Sequence, residues 1–142
     1  MNAVSNSLKF LLNVAKFQAI LARKLDGCMG GLGFSEFIIL YALSQAPEQK
    51  MRRVDLADKI GLTASGVTRL LIPMEKVGLV KRDLNENDAR VRYVMLSPGG
   101  KNRLIEGLER AELFVTENMP ASKSAKITKF NDLITEFNLI FK

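Results

Sequence analysis

Two short helical stretches joined by a tight turn limit this chain more than any other feature of its sequence. Arg53 to Ile60 reads as a helix with Val54, Leu56, Ala57 and Ile60 apolar. Gly61 supplies a left-handed stop. Thr63 caps a second helix that runs to Val77, and Gly78 closes it. A short helix, a glycine-containing turn and a second helix form the helix-turn-helix pattern. Leu79 to Leu84 and Val91 to Leu96 then read as strands. The polar stretch Asn85-Glu86-Asn87-Asp88-Ala89-Arg90 between them makes a hairpin with a long, charged tip.

The flanks are helical. Asn2 to Leu25 lacks Pro and Gly, and Leu8, Leu11, Leu12, Ala15, Ala19 and Ala22 recur at helical spacing. A second stripe, Phe10, Val14, Phe17 and Leu21, runs beside the first. An apolar arc this wide predicts burial on two sides. Gly27 to Gly33 breaks the helix. Ser35 is the expected cap of the next one, Glu36 to about Gln45, which Ala46-Pro47 ends. Ser97-Pro98 opens a fifth helix to about Asn118. A last helix from about Ser122 carries Ile127, Phe130, Ile134, Phe137 and Phe141 as a heptad seam. The predicted class is mainly α with a small β-hairpin wing: a winged helix-turn-helix flanked by N- and C-terminal dimerisation helices. Within one domain of 142 residues, the winged helix-turn-helix lobe spans about 35–100 and the dimerisation helices about 2–27 and 98–142.

Composition removes several function classes. A single cysteine excludes an intrachain disulfide, and the absence of histidine excludes the usual zinc sites and histidine triads. No metal, no cofactor and no catalytic residue is expected. The longest apolar run, Phe37 to Leu43, is far short of the ~18 residues that span a bilayer. No export signal opens the chain, so no membrane partner and a cytoplasmic location are expected. The net charge is +6, and all of the excess lies between Gln49 and Arg103, with twelve basic against six acidic residues. A localised basic field attracts polyanions, although charge alone also fits an ordinary solvated face.

The chain resembles the MarR family of winged helix-turn-helix transcription regulators. The resemblance rests on Leu62-Thr63-Ala64-Ser65-Gly66-Val67-Thr68-Arg69-Leu70-Leu71 with the following Gly78-Leu79-Val80, on Asp88-Ala89-Arg90 in the wing, and on Leu96-Ser97-Pro98-Gly99-Gly100. It departs at Pro73, which removes one helical N–H and predicts a kink or tighter turn after Arg69. Gly99-Gly100 is also expected to weaken the start of the fifth helix.

The resemblance implies a homodimer on double-stranded, pseudo-palindromic operator DNA, usually as a repressor, and a small aromatic effector as a further partner. Thr63, Ala64, Ser65, Gly66, Thr68 and Arg69 would enter the major groove, where small polar residues allow close approach and Arg can bond guanine twice. Arg90, held by Asp88, would enter the minor groove, while Lys81, Arg82 and Arg92 would meet phosphates. Two readings stand beside this one. One is a winged-helix protein-interaction module that does not bind DNA. The other is a thiol-based redox regulator using Cys28, against which the bland reading of Cys28 is a half-buried thiol.

Overall fold

The computed structural model of the protein describes the backbone of residues 3–85 and 88–142, and the side chains of these except 84–91. The elements run α1 (Asn6–Asp26), α2 (Phe34–Gln45), β1 (Lys50–Arg52), α3 (Arg53–Ile60), α4 (Ala64–Lys76), β2 (Val80–Asn85), β3 (Asp88–Leu96), α5 (Pro98–Asn118) and α6 (Ser124–Ile140). The described residues are mostly helical with one small antiparallel sheet, as the sequence predicts.

The core gathers around α2. Ile39, Leu40 and Leu43 are fully buried there, with Met29 and Leu32 from the glycine-rich turn before it, Leu56 from α3, and Val67 and Met74 from α4. Leu79 and Val80, Leu96 and Leu104 close the side towards the sheet and α5. An almost wholly apolar helix is stable only when it is covered on several faces, which explains its central place.

Three boundaries differ from the sequence reading. Helix α1 starts at Asn6, because Ser5 Oγ accepts the Leu8 N–H at 3.1 Å. Helix α2 is capped at Gly33 rather than Ser35. Glu36 folds back to accept the Gly33 N–H at 2.8 Å, and Asp26 accepts the Phe34 N–H at 2.6 Å. Two carboxylates thus serve the first turn, where the helix dipole also favours them. A single helical turn, Ala121–Lys123, precedes α6, which starts at Ser124 rather than near Ser122.

The sheet has three strands in the order β1-β3-β2. Sequence reading missed β1, which exists through its pairing with β3 (Lys50 opposite Met95, Arg52 opposite Tyr93). The hairpin strands reach further than predicted: β2 extends to Asn85 and β3 begins at Asp88, with a register shift between Leu84 and Asn85. Asp88, Ala89 and Arg90, assigned to the tip, therefore belong to a strand, and residues 86–87 lie outside the described residues.

Glu48 and Gln49, ahead of β1, both have positive φ, 57° and 56°. Side chains with a Cβ occupy this region at a cost of roughly 1–2 kcal/mol each, which glycine avoids. Gln49→Gly is expected to stabilise the protein by about 0.5–1 kcal/mol, less than the full relief because the unfolded chain gains freedom. Urea denaturation reads this directly, and a lower midpoint would refute it.

The terminal helices meet within the chain. The Phe10 ring of α1 lies with its centroid 5.9 Å from those of both Phe130 and Phe137 of α6. Ile134 and Phe137 of the seam are half-buried, whereas Ile127, Phe130 and Phe141 stay exposed. On α1, Leu8, Leu11, Leu12 and Phe17 are exposed too, and Leu25 is the only fully buried residue of that helix. Each helix thus spends one side on the other and leaves a second apolar side uncovered.

Candidate nucleic-acid interface

Helix α4 is held by its inner face and open on its outer one. Val67, Leu71 and Met74 are buried at helical spacing, which fixes the rotation of the helix about its axis. Thr63 caps it, its Oγ1 accepting the Gly66 N–H at 3.1 Å, and Ser65 Oγ lies 3.2 Å from the same oxygen. The Gly61 turn takes φ 76°. Pro73 does not break the helix: the backbone stays helical through Lys76, and the Val77 N–H bonds the Pro73 carbonyl at 3.2 Å. The buried Leu71 and Met74 on either side of the proline hold it in place, and one lost N–H costs less than undocking that face.

The hydroxyls predicted to read bases are partly committed. Thr68 Oγ1 donates to the Ala64 carbonyl at 2.9 Å, so its hydroxyl keeps only acceptor capacity. Thr63 is likewise committed to its cap. Ala64, Ser65 and Arg69 are exposed, Gly66 and Thr68 half-exposed. Arg69 has no ion partner among the described residues and is the first long cationic side chain along this face, with Lys76 two turns further on.

A cleft of about 550 Å³ separates α4 from the wing. Thr68, Ile72 and Glu75 form one wall, Lys81, Arg82 and Arg92 the other, and Arg53 at the start of α3 closes the end. Lys81 and Arg92, expected from the resemblance to meet phosphates, line the cleft and are exposed. Arg82 is not free: its Nε donates to Glu75 Oε2 at 3.1 Å. The predicted minor-groove pair fares differently. The strand carries Asp88 and Arg90, but their side chains lie outside the described residues.

Behind the wing, cations are tied into the fold. Lys50 Nζ reaches Asp83 at 2.9 Å across β3, lies 5.0 Å from the Tyr93 ring centroid, and has Glu48 at 3.6 Å. The hydrogen bond to Asp83 raises its pKa above the ordinary lysine value. Arg52 bonds Asp55 at 2.9 Å, which raises the arginine and lowers the carboxylate from their usual values. Sequence reading did not single out Arg53, Glu75, Lys50 or Asp83. The partners Lys50 and Asp83 are 33 residues apart, so no local spacing rule joins them. Among the described residues no group of His, Cys, Asp and Glu could hold a metal ion, and no helix is long and apolar enough to cross a membrane.

Residues 34–91 match the model of the MarR family. An uncharacterized HTH-type transcriptional regulator of Bacillus subtilis, YdgJ, is 28% identical over 122 residues, which is 86% of this chain and 72% of that protein. Among solved structures, CouR from Rhodococcus jostii RHA1 bound to p-coumaroyl-CoA superposes with a TM-score of 0.79 at 18% identity, covering 97% of this chain and 96% of that one. Sco3205 from Streptomyces coelicolor, a MarR family transcriptional regulator in complex with DNA, gives 0.72 at 17% identity, covering 96% of this chain and 90% of that one. The matched segment contains α2, the helix-turn-helix and most of the hairpin, and with it every residue that lines the cleft except Arg92, Tyr93 and Val94. The chain thus resembles the MarR family over residues 34–91, in a fold like that of the family's solved regulators.

Proposed function

We propose that this protein is a sequence-specific DNA-binding transcription regulator acting as a homodimer, with α4 as the recognition helix. The observation that carries the reading is the presentation of α4. Its inner face is locked into the core while Ala64, Ser65 and Arg69 face outward beside a cleft rimmed by Arg53, Lys81 and Arg92. A helix so held can enter a major groove as a rigid body, and the cationic rim meets the flanking phosphates. Gly66 leaves the backbone close to the groove floor, and Thr63 keeps the helix N-terminus ordered for a phosphate. Arg82 contributes to the basic field, and the pair Asp88 and Arg90 in the minor groove remains part of the proposal. The DNA complex of Sco3205 supports the reading by likeness of fold.

Dimerisation is supported by the uncovered apolar sides of α1 and α6, which a symmetric second copy would bury. Two lobes would then bind half-sites ~34–36 Å apart on a pseudo-palindromic operator. A dimer seated there blocks other proteins, which makes repression the reading we adopt. A small aromatic effector completes it. Its support is the ligand bound to CouR and a row of aromatic rings on α2, Phe34, Phe37 and Tyr41, stacked at 6.5 Å. An effector acts by binding the DNA-competent and incompetent lobe spacings unequally.

The test is selection of bound sequences from random duplex DNA, followed by a salt titration of the winner. The expected result is one enriched palindromic motif and a log–log slope of about −4 or steeper, because each neutralised phosphate contributes ~0.9. Sedimentation should give twice the chain mass. No retained duplex at low salt would overturn the reading and leave the protein-interaction module in its place.

A further inference from the structure

We propose that Glu75 is a positioning residue that withholds Arg82 from the DNA backbone and so sets how tightly the protein binds, rather than where. The inference rests on the DNA reading above. Among the described residues lining the cleft, Glu75 is the only carboxylate, and the others with charge are Arg52, Arg53, Lys81, Arg82 and Arg92. It sits in the last turn of α4, and its Oε2 accepts from Arg82 Nε on β2 at 3.1 Å, joining the recognition helix to the wing. Both side chains are partly exposed, 39% and 59%, so the pair can open when a phosphate competes. An exposed pair adds little to stability. Its consequence is electrostatic: an arginine already facing a carboxylate releases no counterion from DNA until that bond breaks.

The neighbouring cations show the same withdrawal. Arg52 faces Asp55 at 2.9 Å and Lys50 faces Asp83 at 2.9 Å. Arg52 also lines the cleft but its partner Asp55 does not, and neither Lys50 nor Asp83 does, whereas both members of the Glu75 pair line it. Of these three carboxylates, Glu75 is the one a DNA backbone entering the cleft would meet.

Four proteins test this: wild type, Glu75→Gln, Arg82→Gln and the double variant, each titrated with salt against the selected duplex and against a duplex of unrelated sequence. Glu75→Gln should tighten both duplexes by a similar factor, about 3- to 30-fold near 0.15 M salt, and steepen the slope by about 0.9 per subunit. In the Arg82→Gln background the same change should leave the slope where it was, because no cation is released. A mere structural role for the pair would instead move the melting temperature and leave the slope unaltered. Equal or weaker binding by Glu75→Gln overturns the proposal. So does an effect confined to one base pair, which would make Glu75 a base reader. A wild type that binds no duplex at all refutes the DNA reading itself, whereas a steep wild-type slope that Glu75→Gln merely reproduces sinks only this inference.

Discussion

Gly100→Ala is expected to cost about 3 kcal/mol or more, or to prevent folding altogether. An alanine Cβ at this position would stand 2.0 Å from the Leu79 carbonyl oxygen, 2.9 Å from its carbon and 3.1 Å from Leu96 Cδ1. Overfilling a packed site costs roughly 1–3 kcal/mol when side chains can move aside, and more when the obstacle is backbone. Here the obstacle is backbone, and it is anchored from three directions. The Leu79 N–H bonds the Met74 carbonyl at 2.9 Å, the Leu79 carbonyl accepts the Ser97 N–H at 3.2 Å, and Ser97 Oγ donates to the Gly78 carbonyl. The same Ser97 Oγ accepts the Gly100 N–H at 3.0 Å, so neither side of the contact can retreat alone. The glycine judged unfavourable from helix propensity is thus the residue that lets α5 start against the entry to the hairpin. Gly27→Ala is the control, because its Cβ would meet only ordinary contacts at 3.7 and 3.9 Å. Denaturant midpoints should show a large drop for the first variant and a change within about ±0.5 kcal/mol for the second. Comparable stability for Gly100→Ala would mean that α5 and the hairpin do not approach as described.

Arg69→Ala should weaken binding to the selected duplex by about 1–3 kcal/mol per half-site, roughly 5- to 150-fold each, and relax the sequence choice at one base pair. Arg69 is exposed, lies in the second turn of a helix whose inner face is locked by Val67 and Leu71, and has no ion partner among the described residues. With Thr63 and Thr68 hydrogen-bonded to their own helix, it carries most of the remaining donor capacity on that face. Melting should be unchanged, since removing an exposed side chain leaves no cavity. Lys81→Gln should behave differently, weakening all duplexes alike and lowering the salt slope by about 1 per subunit. Retained affinity and retained sequence choice in Arg69→Ala would remove the major-groove role.

The order of elements, the helix-turn-helix and the hairpin are written in local chemistry: Thr63 as a cap, Gly61 and Gly78 as left-handed stops, and apolar residues at helical or alternating spacing. These signals act over a few residues, so they survive without knowledge of the fold. They fail where local options compete, as at Ser35, which is drawn inside α2 because Glu36 and the distant Asp26 accept the Gly33 and Phe34 N–H groups and let the helix start earlier. Strand β1 is three residues long and carries no periodicity of its own; only its pairing with β3 makes it a strand. The face of α4 was legible from its buried positions, but which side chains on it are free was not.

The sequence by itself determined the helices, the turns, the two strands of the hairpin and where the positive charge is concentrated, because those depend on neighbours in the chain. The tertiary structure alone decided which charges are spent and which are available. Glu75 meets Arg82 across the glycine turn, Lys50 meets Asp83 over Tyr93, and Gly100 meets Leu79, because packing brings those backbones together and no residue spacing encodes the distance.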